Sequence, residues 1–298
     1  MTNDVETTSL INGGLRDETG VKVWQEGMPR LLDLYAKHNI KATFFFVADY
    51  AEKYPEVVRM ILPYGHEVAC HGYTHDYRLS FDTMTLAEQT DHLKRAKQIL
   101  ENISGQEIVS FRAPALRVNK FTPQALMEAG FKIDSSVAPQ RMDMFMTLGA
   151  KNKLQWLKAP RLPYFASPVN LARKGNSTIM EVPVSSFIFP YIGTFMRVFP
   201  NLNKITRYLL YLETKKTEKA VNFLIHPNEL IIEDRVNQNN EKRSNNILTH
   251  FLSDVLRKKM KRKNLGLPAV DLFEKEILFW KNHGGKFSTI NEYHYSDK

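Results

Sequence analysis

The chain has 298 residues, 43% of them apolar and 24% charged, a balance that supports one large packed domain and excludes a disordered chain. The single cysteine, Cys70, excludes an internal disulfide. The opening Met1-Thr2-Asn3-Asp4-Val5-Glu6 lacks the basic stretch and apolar run of a secretory signal, and no run of about 18 apolar residues marks a membrane span, so the expected location is cytoplasmic. Forty-one basic against 32 acidic residues, a formal +9, favour anionic partners, but no nucleic-acid-binding motif accompanies the charge and no nucleic acid is expected as a partner.

In chain order, residues 26–37 carry Met28, Leu31, Leu32 and Tyr35 at helical spacing and predict a helix ended by His38-Asn39. Ala42–Val47 reads as a buried strand, residues 50–62 as a helix broken by Gly65, and Glu67–Cys70 as a short strand. Thr85 and Glu88 have capping-box spacing and open a helix to about Ile103, stopped at Ser104-Gly105. A strand at Ile108–Phe111 follows, then a short helix begun by Thr122-Pro123 and ended by Gly130, then a strand at Phe131–Ile133. The Met-, Pro- and Arg-rich stretch 140–180 predicts long loops. Beyond it come a strand at Ile179–Val184, a helix near 201–213, a strand at Val221–Ile225, a basic helix over 246–263, a helix over 269–282 and a last strand at Phe287–Ile290. Repeated strand–helix units imply a parallel sheet, open or closed into a barrel.

The predicted strands end in residues able to do chemistry. Asp4 and Glu6 lie at the first, His71 follows Cys70 with His75 four residues on, Arg112 follows Phe111, Asp134 follows Ile133 and His226 follows Ile225. In parallel α/β folds the carboxyl ends of the strands meet at one face, where active sites form. His71 and His75 are spaced to share a metal or are two surface histidines. Asp4 and Glu6, two apart on a strand, share a face, where one could ligate the metal and the other accept a proton. Arg112 is a surface residue or the partner of a carboxylate. Asp134 is a helix N-cap or the orienter of a histidine, and His226 is a satisfied core histidine or a functional one.

As an ordered set, Thr2–Glu6, Ala42-Thr43-Phe44-Phe45, Gly65–Val68, His71-Gly72-Tyr73-Thr74-His75, Arg112-Ala113-Pro114, Asp134-Ser135-Ser136 and Leu224-Ile225-His226-Pro227 resemble the motifs of the NodB-like polysaccharide deacetylases, carbohydrate esterase family 4. The resemblance runs from residue 2 to about 230. It implies a deformed (β/α)7 barrel and one divalent cation, zinc or alternatively cobalt, nickel or manganese. It also implies that Asp4 is the general base, that Glu6, His71 and His75 are metal ligands, that Arg112 steers Asp4, that His226 is the general acid and that Asp134 holds His226. The spaced pair Asp4-Val5-Glu6, where the family more often has adjacent aspartates, resembles the subgroup that acts on lipid-linked or small sugars, including deformylases. The expected activity is hydrolysis of an N-acetyl or N-formyl group from a sugar. A non-catalytic glycan-binding relative and a hydrolase of non-sugar amides are the competing expectations.

Two further expectations concern the ends of this reading. Asp4 stands three residues from Met1, so either the start lies upstream or the first strand is short. The chain is expected to be a single domain with a basic helical insertion near 238–266, where Arg257-Lys258-Lys259-Met260-Lys261-Arg262-Lys263 follows an apolar stripe. That run is either a solvated helix end or a peripheral docking surface for an anionic membrane or a lipid-phosphate carrier.

Overall fold

The computed structural model describes residues 1–139, 156–217, 219–234, 260 and 262–296. Its strands, in chain order, are β1 (Thr2–Val5), β2 (Thr43–Phe46), β3 (Glu67–Cys70), β4 (Ser110–Phe111), β5 (Ile133–Asp134), β6 (Tyr164–Ser167), β7 (Asn170–Lys174), β8 (Met180–Glu181), β9 (Ser186–Phe187), β10 (Phe189–Pro190) and β11 (Leu224–Ile225). Nine of them form one sheet in the order β11-β1-β2-β3-β4-β5-β8-β6-β7. The seven from β11 to β8 are mutually parallel, and β6 and β7 extend the edge as an antiparallel hairpin. The fold is therefore α/β, with a central sheet flanked by helices. No β8–β11 ladder closes it into a barrel among the described residues. Beyond the end of β8, the gap is bridged by single bonds: Ser185 N donates to Asn222 O at 2.9 Å, and the Asn222 amide donates to Val182 O at 3.3 Å.

Strand alternation sorts the side chains into two layers. On β2, Phe44 and Phe46 join the large core beneath the helices. Phe45, between them, joins a separate cluster with Ala69, Val109, Ile133, Met180, Val182 and Ile290 on the other face. Each phenylalanine removed from water there stabilises the fold by about 1.5–3 kcal/mol. Thr2 and Asp4 on β1, and Glu6 just beyond it, alternate with Asn3 and Val5, so they share a face.

The helices are α1 (Asp17–Lys22), α2 (Met28–His38), α3 (Ala48–Lys53), α4 (Glu56–Arg59), α5 (Leu86–Ser104), α6 (Thr122–Glu128), α7 (Gly193–Val198), α8 (Pro200–Thr217), α9 (Leu267–Asn282) and α10 (Ile290–Ser296). α1 continues through a π turn, Val23–Gly27, into α2, which ends where Asn39 turns left-handed. The capping box of Thr85 and Glu88 opens α5, and Gly105 ends it with positive φ. The helix expected over 50–62 is split into α3 and α4 at Tyr54-Pro55, because proline has no N–H for an unbroken helix. The strand expected at Phe287–Ile290 is instead the approach to α10. The first N–H groups of α10, from Ile290 and Asn291, bond to Thr43 Oγ1 and Glu67 Oε2, seating the helix start against β2 and β3. The long-loop stretch holds the β6–β7 hairpin, while residues 140–155 and most of the expected basic helical insertion lie outside the described residues. No helix among the described residues is long and apolar enough to cross a membrane.

Candidate active site

The strand ends gather six of the seven residues singled out above. Glu6, His71 and His75 place one donor atom each within 4.8 Å of one another. Glu6 Oε2 is buried and lies 2.7 Å from His75 Nε2. His71 is fixed from behind, its Nδ1 lying 2.8 Å from the Arg112 carbonyl oxygen. That oxygen only accepts, so Nδ1 carries the proton and Nε2 is left with a free lone pair, the arrangement by which histidine ligands are oriented in metal sites. Burial, chiefly, pushes the His71 pKa down to about 4, which keeps the ring neutral. Burial disfavours charge on Glu6 too, but His75 beside it, with His226 and His71, holds the carboxyl well below the usual range. For His75 the balance is reversed: burial lowers its pKa, and the charge and hydrogen bond of Glu6 outweigh burial and raise it. Two imidazoles and a carboxylate, buried and convergent, fit a divalent transition metal of the zinc type.

Asp4 sits beside this group. Its Oδ1 accepts a 2.7 Å bond from Arg112, and its Oδ2 lies 3.8 Å from both His71 Nε2 and His226 Nε2. Arg112 is completely buried and fully engaged: it donates to Ser135 O, Ser135 Oγ and Thr2 Oγ1, and its guanidinium stacks 4.2 Å from the Phe45 ring. A carboxylate held this firmly presents one oxygen in a fixed direction.

His226 follows β11. The 3₁₀ turn Pro227–Leu230 brings Glu229 back under its ring, with Glu229 Oε1 3.0 Å from His226 Nδ1. Burial works against a charged ring, yet the Glu229 hydrogen bond and the charges of Glu6 and Asp4 prevail and hold the His226 pKa up at about 9. Glu229 is itself buried. Burial opposes its charge, but the neighbouring Arg197 on α7, which donates to its other oxygen, keeps the carboxyl below the usual range. The turn is seated on the π segment: a Cβ at Gly27 would stand 2.5 Å from the Pro227 carbonyl oxygen, so only glycine admits this approach.

Asp134 is the residue that the structure does not bring in. Ile133 faces the inner apolar cluster, so Asp134, next along the strand, faces the other way. It accepts bonds from Ser136 Oγ and Ser136 N and lies opposite Glu181 across the β5–β8 ladder. The expectation that Asp134 holds His226 is corrected on this geometry: the carboxylate touching His226 is Glu229. Its sequence signal was present in His226-Pro227-Asn228-Glu229, a proline-started turn with an acid three residues on. Arg197, distant in sequence, gave no such sign.

A parallel sheet whose strand ends converge on two histidines and a carboxylate defines an α/β protein with a candidate metal centre. Residues 18–133, less than half of the chain, match the family model described as polysaccharide deacetylase. The span contains His71, His75 and Arg112 and leaves Asp4, Glu6 and His226 outside. The peptidoglycan deacetylase of Helicobacter pylori is 31% identical over 118 residues, 40% of this chain and 39% of that protein. The peptidoglycan-N-acetylglucosamine deacetylase of Bacillus cereus is 32% identical over 89 residues, 30% of this chain and 31% of its own length. The chain thus aligns with well under half of these relatives. Among solved structures, the Puue allantoinase superposes with a TM-score of 0.57 at 16% identity, covering 98% of this chain and 87% of that one. A Pseudomonas aeruginosa PAO1 protein named for the polysaccharide deacetylases superposes at 0.55 and 17% identity, covering 98% and 88%. These likenesses establish a shared fold.

Proposed function

We propose that this chain is a metal-dependent hydrolase that removes an N-acyl group, acetyl or formyl, from a sugar. The observation that carries the proposal is the convergence, at one mouth, of a three-donor metal cluster with a positioned carboxylate and a histidine held in its charged form. Glu6, His71 and His75 are the residues that would hold the cation, and zinc suits their donor set best. When bound, such a cation polarises the scissile carbonyl and acidifies water. Asp4, aimed by Arg112, takes the proton of the attacking water. His226 gives its proton to the departing sugar nitrogen, so that the amine leaves neutral. The spaced acids Asp4 and Glu6 support a lipid- or nucleotide-linked sugar within this class. Docking on an anionic membrane rests on the basic run at 257–263, most of which lies outside the described residues.

The test is a panel of N-acetyl and N-formyl sugars, free, nucleotide-linked and lipid-linked, incubated with metal-loaded protein and followed by mass spectrometry. Loss of the acyl mass from at least one sugar is expected. Bound metal with no acyl loss from any of them would move the assignment to a glycan-binding protein.

A further inference from the structure

We infer that Glu229, backed by Arg197, is the positioning residue that sets the tautomer and orientation of His226. The inference rests on the proposed hydrolytic reading only for what that orientation achieves.

The contact itself is direct. Glu229 Oε1 lies 3.0 Å from His226 Nδ1 and 3.4 Å from the His226 backbone nitrogen. A carboxylate accepts, so Nδ1 carries a hydrogen and Nε2, the nitrogen turned toward Asp4, is the one that gains and yields a proton. During transfer the Nε2 proton passes to the leaving nitrogen, Nδ1–H remains bonded to Glu229, and Glu229 stays ionised throughout. This is the division of labour between an imidazole and its supporting carboxylate in hydrolytic triads.

Around Glu229 the structure is built to keep a bare carboxylate there. Glu229 and Arg197 are both fully buried, and a buried ion pair is weak evidence for stability because desolvation offsets its attraction. The pair is better accounted for by what its free oxygen does, which is to hold His226. Arg197 is anchored in turn: it donates to Lys263 O at 2.6 Å, and Asn264 donates to the Arg197 carbonyl at 2.7 Å. Space is reserved as well, since a Cβ at Gly193 would stand 2.7 Å from Glu229 Oε1. Asp134, the alternative carboxylate, is engaged with Ser136 and Glu181 on the opposite face of its strand.

The experiment uses the full-length, metal-loaded chain. Three variants are needed. Glu229→Gln removes the charge, the double variant Glu229→Gln with Arg197→Gln removes it without stranding a buried cation, and Gly193→Ala crowds the carboxylate without changing any charge. Each is assayed on an N-acyl sugar found in the panel above and on para-nitrophenyl acetate, whose leaving group departs without an acid. On the amide, kcat is expected to fall by about 10- to 100-fold in all three, the usual effect of losing a residue that orients a functional histidine. KM, metal content and ester hydrolysis should hold, and Glu229→Asp should recover part of the amide rate. Equal losses on amide and ester, or no loss on either, overturn the assignment. Nitrogen NMR of the imidazole rings, with the His226 signal identified by its absence in His226→Gln, supplies a readout that needs no substrate. At a pH high enough to neutralise the ring, the wild type should show a single Nδ1–H tautomer at His226, and the double variant a mixture. The same tautomer in both overturns the assignment. If the wild type cleaves no amide, the hydrolytic reading fails while the tautomer measurement still decides the Glu229 contact.

Discussion

The sheet carries two pairs of buried acids, and they have opposite company. Asp4 and Glu6 look inward at Arg112, His71, His75 and His226. Asp134 and Glu181 look outward at each other; their hydrogen-bond donors, Ser136 and the Val137 N–H, are neutral, and Arg112 acts on them through its charge alone. All four side chains are at most 6% exposed. Burial therefore does not distinguish the pairs; the sign of the neighbouring charge does. Burial opposes charge on Glu6, but His75, His226 and His71 make it a stronger acid. For Glu181, burial first and Asp134 second push the pKa well above the carboxylate range, so that the outward pair shares a proton and serves as a structural hydrogen bond. Like side chains on two faces of one sheet thus meet histidines and a guanidinium on one side and each other on the other.

The largest break in this comparison is expected at the metal. Alanine at His71 or His75 should abolish both stoichiometric metal, measured by elemental analysis, and hydrolysis, whereas Asp134→Asn should leave both in place. Full metal and full rate in the histidine variants would show that the cluster is not the site. A smaller contrast separates the two aspartates kinetically. Asp4→Asn should keep its metal yet lower kcat by about 10²- to 10⁴-fold, the range for a lost general base, while Asp134→Asn should stay near the wild-type rate. A comparable kcat loss in Asp134→Asn would restore that residue to a functional role.

The smallest effect is in stability against pH, and here Glu181 and Glu6 should have opposite slopes. The folded pKa of Glu181 is raised, so its contribution is complete below its unfolded value of about 4.3 and is lost as pH rises through the folded value. Glu6 has a depressed pKa, so its contribution is present above the unfolded value and is lost as pH falls through the folded one. Urea unfolding of metal-free protein should therefore show Glu181→Gln flattening the decline on the alkaline side, and Glu6→Gln flattening the decline on the acid side. Parallel pH profiles for the two variants would remove the distinction.

Most of the inward pair's surroundings were legible in the sequence, because they are local. A strand ending in Cys70-His71 with His75 four residues on, or in Phe111-Arg112, announces its chemistry through position at a strand end. What misled was a question of face. Asp134 has the right residue type at the right strand end, but the inward direction of Ile133 sends it to the other side. Strand lengths were also overread: β4, β5, β8 and β11 pair over two residues each, since apolar runs continue beyond the ladder as buried, irregular chain. The Glu229–Arg197 contact joins residues 32 apart through a helix and a turn, and no periodicity encodes it.

The pairing of β1 with β11 has a consequence for how the molecule is made. Thr2 is registered against Leu224, so one side of the strand leading to Asp4 and Glu6 is filled by chain more than 220 residues later. Contacts of such sequence separation form slowly, because closing the intervening chain costs entropy before any contact repays it. A nascent chain halted before Leu224 would already carry Glu6, His71 and His75, but would lack His226 and the strand that flanks β1. During synthesis Glu6, His71 and His75 are thus in place long before His226, and the candidate site is completed only with the last parallel strand.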